Sequence, residues 1–211
     1  MTYPLLAYVY GASTLVPAVA GLSRFRVLQR PLRILAVLSV LACFTEVIEY
    51  LVARWNHYNA FISSYYEFFE YSMLLGVYFT SVGKKRTRAI IIALELIFAV
   101  VWLIEVPTFY NPRAVTADVQ TVSRILLIVA SLVILQSILD QSSNRLMDLA
   151  LFWVASGVIL YSTGTLMVFS LANRLLKLGL PYFEMAWRIN WLLSITANLF
   201  YVRAFLCKQH S

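Results

Sequence analysis

Apolar residues along this chain arrive in blocks of about 20, the length at which a helix rising 1.5 Å per residue crosses roughly 30 Å of hydrocarbon. Seven such blocks predict seven transmembrane helices, at about 5–22, 32–53, 60–80, 89–109, 120–139, 147–170 and 182–206. The stretches between them are short and rich in helix-ending or polar residues. They run from Arg24 to Pro31, Arg54 to His57, Gly83 to Arg88, Pro107 to Asp118, Asp140 to Arg145 and Asn173 to Pro181. None is long enough to fold by itself. Residues 1–211 therefore read as a single all-α integral membrane domain.

Composition strengthens that picture. Of 211 residues, 61% are hydrophobic and 13% charged, where soluble domains run at about 45–50% and 25%. The first block has no basic residue before it and runs directly into Arg24-Phe25-Arg26, so a first span is expected there and no cleaved leader. The formal net charge of +7 would suggest a nucleic-acid partner in a soluble protein. Here the distribution of the charge accounts for it, and membrane lipids are the expected surroundings. Eleven of the seventeen Lys and Arg residues (Arg24, Arg26, Arg30, Arg33, Lys84, Lys85, Arg86, Arg88, Arg145, Arg203 and Lys208) fall on one predicted side. Arg54, Arg113, Arg174 and Lys177 fall on the other, and Arg124 and Arg188 lie within spans. The positive-inside rule then puts the N-terminus outside and the C-terminus in the cytoplasm, in a plasma (inner) membrane. Cys43 and Cys207 form no metal-binding spacing, and their separation in depth argues against a disulfide.

Topology gives the acidic residues an address. A carboxylate in hydrocarbon is costly unless protonated, paired or turned to a polar cavity, and Glu46, Glu49, Glu67 and Glu70 all lie within predicted spans. Glu49 is about 7 Å and Glu46 about 12 Å below the outer end of the second span; Glu67 is about 9 Å and Glu70 about 13 Å below that of the third. Both Glu-x-x-Glu pairs thus reach one outer-leaflet layer on adjacent antiparallel helices. Spacing of three puts each pair on one helix face, which Tyr50 and Tyr71 extend. Ser63, Tyr65 and Tyr66 lie nearer the outer mouth, and Glu105 sits near the outer end of the fourth span. The seventh span brings Arg188, about 9 Å down, and Asn190, about 12 Å down, to the same layer. Arg188 is the expected counter-charge. An acidic excess remains, to be met by protonation, cations or water, and carboxylates sharing a pocket are expected to titrate as coupled groups.

The remaining polar residues have plainer readings. Glu95, nearer the inner side, shares a face with Arg88 and is expected to reach toward the Lys84–Arg88 cluster. Asn198 is expected to bond to a neighbouring helix, and Ser156, Gly157, Ser162, Thr163, Gly164 and Thr165 to let helices pack closely. Histidine occurs only at His57 and His210, outside the spans, so zinc or haem ligation and a histidine-activated serine have no support. No cofactor is expected. A divalent cation on Glu46, Glu49, Glu67 and Glu70 stays open, since an all-carboxylate site suits hard cations.

Seven spans in this orientation resemble the layout of rhodopsin-like proteins. A retinal Schiff base needs a lysine midway along the last span, and residues 182–206 contain none, so retinal is excluded. The span count is also similar to that of small sugar transporters of the three-plus-one-plus-three type, which carry Pro-Gln motifs in matching spans. Here Pro17 is followed by Ala18, and the fifth span has no proline. Function then rests on the acidic layer. The favoured reading is a receptor-like protein that binds or senses a polar ligand or cation of unknown identity, with Glu46, Glu49, Tyr50, Tyr66, Glu67, Glu70, Tyr71, Glu105, Arg188 and Asn190 as candidate binding residues. Alternatives are a small or proton-coupled transporter, a membrane enzyme acting on a lipid, and a structural subunit of a membrane complex. The residues lean away from an enzyme. A partner membrane protein or a homo-oligomer stays open.

Overall fold

Hydrocarbon offers no hydrogen-bond partner to a peptide group, so an apolar block of this length satisfies its backbone by winding into a helix. The computed structural model describes residues 5–56, 60–105, 107, 117–141 and 146–207. Among these residues the α-helices are α1 (Leu5–Ser23), α2 (Arg30–Asn56), α3 (Ala60–Ser81), α4 (Lys85–Glu105), α5 (Ala117–Gln141), α6 (Ala150–Leu178) and α7 (Leu180–Leu206). A short 3-10 turn, Leu146–Asp148, precedes α6. Six of the helices, all but α3, are long and apolar enough to cross a membrane. The protein is an all-α bundle with membrane-spanning character. α3 has 22 residues, but its two glutamates and its Ser and Tyr residues dilute its hydropathy.

The bounds differ from the sequence expectation most at the sixth connection. α6 continues eight residues past 170, and Gly179 alone separates it from α7. Gly179 has φ 129°, a backbone region open to glycine and strained for other residues, and Pro181 stands in the first turn of α7. Asn173 to Pro181 is therefore no loop, because its leucines carry the helical pattern onward. His57, Tyr110, Arg113, Arg145, Lys208 and His210 lie outside the described residues.

Neighbour relations close a ring. α1 packs on α2 and α7, α2 on α3, α3 on α5, α5 on α6, and α6 on α7. α4 stands outside this ring against α3 and α5. Side-chain bonds give the directions. Tyr10 meets Glu46 and Cys43 meets Thr14, so α1 and α2 are antiparallel. Ser123 meets Glu67 and Ser131 meets Tyr78, so α3 and α5 are parallel. Ser13 meets Asn198 while Arg24 donates to the Phe205 carbonyl at 2.6 Å, so α1 and α7 are parallel. That last bond places a cation on the carbonyls at the end of α7, where the helix dipole favours it.

The two halves of the bundle are filled differently. Where α2 begins and α3 ends, Leu28, Leu35, Tyr71, Leu74, Tyr78, Phe98, Leu127 and Ile134 form a closed apolar core. Small residues bring the backbones together there: a Cβ built on Gly21 would stand 2.7 Å from that of Ala36. Where α2 ends and α3 begins, the ring encloses space.

Candidate functional site

That space is a cavity of about 630 Å³, lined by α1, α2, α3, α5, α6 and α7 and by no residue of α4. Glu46, Glu49, Glu67 and Glu70 all line it. The i, i+3 spacing turns each pair inward, and the antiparallel course of α2 and α3 brings the pairs to one level. Each pair is held differently. Glu46 accepts a hydrogen bond from the Tyr10 hydroxyl and Glu49 one from Ser63 Oγ at 2.6 Å. Glu67 and Glu70 share a guanidinium: Arg124 Nη2 of α5 lies 2.9 Å from Glu67 Oε2 and 3.3 Å from Glu70 Oε2. Ser123 also donates to Glu67.

Arg124 is 2% exposed, the largest fully buried side chain among the described residues. Its guanidinium carbon lies 4.6 Å from the Tyr161 ring centroid and 5.6 Å from that of Phe169. Taking a cation out of water costs several kcal/mol, on the order of what paired carboxylates and aromatic faces return at short range. The guanidinium is not saturated, however. Its Nε and Nη1 have no hydrogen-bond acceptor among the described residues, and Gln120 Oε1 and Asn190 Oδ1 have no donor. All three residues line the cavity. Buried polar groups are nearly always satisfied by protein, water or ligand, so these atoms mark where a polar guest belongs.

The walls between the polar groups are largely aromatic, from Tyr10, Tyr66, Tyr161, Trp187 and Trp191. Tyr66, on the same helix as Glu67 and Glu70, lines the cavity with both carboxylate pairs. No group of three or more His, Cys, Asp or Glu among the described residues is arranged to hold a metal ion.

Of the other candidates, Tyr50 and Asn190 also line the cavity, with Tyr50 at its exposed edge. Tyr71, Glu105 and Arg188 do not line it. Tyr71 is fully buried on the α3–α4 seam and donates to the Leu94 carbonyl at 3.0 Å. One position past Glu70, it points about 100° away around the helix. Glu105 belongs to α4, the helix outside the ring. Arg188 is exposed, because Trp187, Asn190, Trp191 and Ser194 take the inward face of α7 at i, i+3, i+4 and i+7. The buried counter-charge is Arg124. Glu95 accepts from Ser72 Oγ at 2.6 Å, while Arg88 bonds to the Val82 carbonyl, so the expected approach of Glu95 to the basic cluster gives way to a bond with α3.

The sequence reading has Arg124 within a span but not beside the glutamates, and it singles out neither Tyr10 nor Gln120. The depth argument would have found Arg124, since it lies seven residues into α5, about 10 Å down. Nothing in the sequence marked Tyr10, one tyrosine among thirteen. Comparison of the chain with protein families, curated proteins and solved structures finds no match.

Proposed function

We propose that this is a seven-span, receptor-like membrane protein whose interior cavity binds a small cationic ligand. The observation that carries the reading is the charge inside the ring: four glutamates line the cavity with Arg124. Aromatic faces beside carboxylates suit an organic cation, which gains from ring quadrupole and charge together. Separated carboxylates, each already accepting from a hydroxyl or guanidinium, suit it better than a bare divalent ion, which wants six or more converging oxygens. α3 serves as the seventh span in this reading. It sits in the ring between α2 and α5, and its 22 residues reach about 33 Å. The N-terminus is then outside, the C-terminus cytoplasmic, and the cavity in the outer leaflet of the plasma (inner) membrane.

The test is calorimetric titration of the protein in lipid nanodiscs with tetramethylammonium, choline, their uncharged carbon isosteres, Ca²⁺ and Mn²⁺. Organic cations are expected to bind, with Glu46→Gln weakening them at least about tenfold, the scale of one lost charge contact. Equal binding of the uncharged isosteres overturns the reading. Transport is the second reading, favoured by the descent of the cavity lining to Ser39, Asn198 and Tyr201. Uptake of labelled choline into proteoliposomes separates it from binding alone.

A further inference from the structure

We infer that the ligand is a hydroxylated organic cation, an amino alcohol or its quaternary ammonium counterpart, whose hydroxyl is held by Gln120 and Arg124 on one face of α5 while its cationic group goes to Glu46. This rests on the cation-binding reading above and adds the second group that the cavity recognises.

The unpartnered atoms of the cavity wall set the requirement. Arg124 is 2% exposed and Gln120 8%, and both line the cavity. Nε and Nη1 of Arg124 lack an acceptor among the described residues, and Gln120 Oε1 lacks a donor. The two residues are four apart on α5, so they share a face and stand about 6 Å apart along the axis. The guanidinium is fixed in place: Glu67 and Glu70 engage its Nη2, and the Tyr161 ring centroid lies 4.6 Å from its carbon. Asn190 Oδ1 of α7 is a further acceptor without a donor. Acceptor and donor are thus both wanted at neighbouring places.

Functional-group chemistry narrows the choice. A hydroxyl both accepts and donates, so one group can take a bond from Arg124 and give one to Gln120. An ether or carbonyl oxygen only accepts, an ammonium only donates, and a methyl does neither. Each of these leaves a buried polar atom stranded, which is costly. A carboxylate accepts from arginine too, and charge decides against it. Glu67 Oε2 and Glu70 Oε2 already stand 2.9 and 3.3 Å from Nη2. A third anion at the same guanidinium would face two like charges away from water, where repulsion is strongest. The acceptor is therefore uncharged.

Glu46 supplies the other contact. Its Oε1 is held by a neutral donor, the Tyr10 hydroxyl, whereas Glu67 and Glu70 share the charge of Arg124. The positive end of the ligand then belongs at α2 and its hydroxyl at α5. A molecule with both groups answers the charge and the hydrogen bonds of one cavity.

The experiment is calorimetric titration of the full chain in nanodiscs. The probes are ω-hydroxyalkyl trimethylammonium ions of increasing chain length, choline the shortest, each beside counterparts in which methyl, methoxy or carboxylate replaces the hydroxyl. At the best-fitting length the hydroxyl probe is expected to bind at least about tenfold more tightly than all three counterparts, the scale of one stranded buried atom. Gln120→Met keeps the side-chain length and removes the acceptor. It is expected to shrink the preference for hydroxyl over methoxy at least about fivefold while leaving the affinity of the methyl probe unchanged. The methoxy comparison reads the donor role on the unaltered protein, so it decides the matter if Gln120→Met fails to fold. Equal binding of the hydroxyl probe and its methyl or methoxy counterpart at every length overturns the hydroxyl assignment. So does tighter binding of the carboxylate probe, or a hydroxyl preference left intact in Gln120→Met. The cation site still stands in those cases if Glu46→Gln weakens the hydroxyl and methyl probes alike. No saturable binding of any probe, or none sensitive to Glu46→Gln, overturns the cation site as well.

Discussion

Arg124 Nη2 and Glu67 Oε2 meet at 2.9 Å where the two side chains are only 2% and 5% exposed. Such a pair is weak as a source of net stability yet expensive to break on one side, because the survivor is left charged and dry. Arg124→Met is therefore expected to destabilise the protein by about 3–5 kcal/mol, and Arg124→Met with Glu67→Gln by clearly less. Thermal unfolding of the detergent-solubilised variants checks this. A double variant no more stable than Arg124→Met would show that the pair is not coupled.

The two acidic pairs are expected to separate by phenotype. Glu67→Gln leaves Arg124 with Glu70 as its partner carboxylate, so folded yield should fall. Glu46→Gln keeps an acceptor for Tyr10 and removes the charge, so yield should hold while organic-cation affinity drops. Size-exclusion yield measured beside calorimetry tests both. Similar losses of yield in the two variants would turn the whole layer into a packing network.

Glycines at helix crossings should differ in tolerance. A Cβ on Gly21 meets the Cβ and Cα of Ala36, which cannot give way without moving a backbone, so Gly21→Ala should cost about 1–3 kcal/mol. On Gly164 it meets the methyl ends of Leu193, which can rotate, and Gly164→Ala should cost under about 1 kcal/mol. Paired melting curves decide the order.

Tyr71→Phe deletes the bond to Leu94 on the α3–α4 seam, worth about 0.5–1.5 kcal/mol, and should leave cation affinity unchanged. Calorimetry on Tyr71→Phe beside Tyr66→Phe makes the contrast, since only Tyr66 lines the cavity.

Much of this arrangement was legible in the chain. Block length gave the helices, and counting residues down antiparallel spans put Glu46, Glu49, Glu67 and Glu70 at one level, where the cavity has them all. That worked because rise per residue is nearly constant in a helix. Rotation and neighbour choice were harder to read. Arg188 has a suitable depth but the wrong side of α7, and Glu105 belongs to a helix that the ring leaves out. Which helix stands beside which is decided by packing between distant segments, and no local pattern carries it. Gly179 shows the reverse case, where one residue with a φ of 129° does what a nine-residue connection was expected to do.

Arg124 stands 57 residues after Glu67 in the chain, which gives the salt bridge a meaning during synthesis. α3 is the helix among the described ones that falls short of the hydropathy of a spanning segment, and its glutamates are made before their arginine. Newly made α3 has only α1, α2 and α4 for company until α5 emerges from the ribosome. The pairing of Glu67 and Glu70 with Arg124 is therefore complete only when α5 is present. The bridge thus ties the most polar of the long helices to a partner two helices further along the chain, so that α3 is held in the bundle by a residue made well after it.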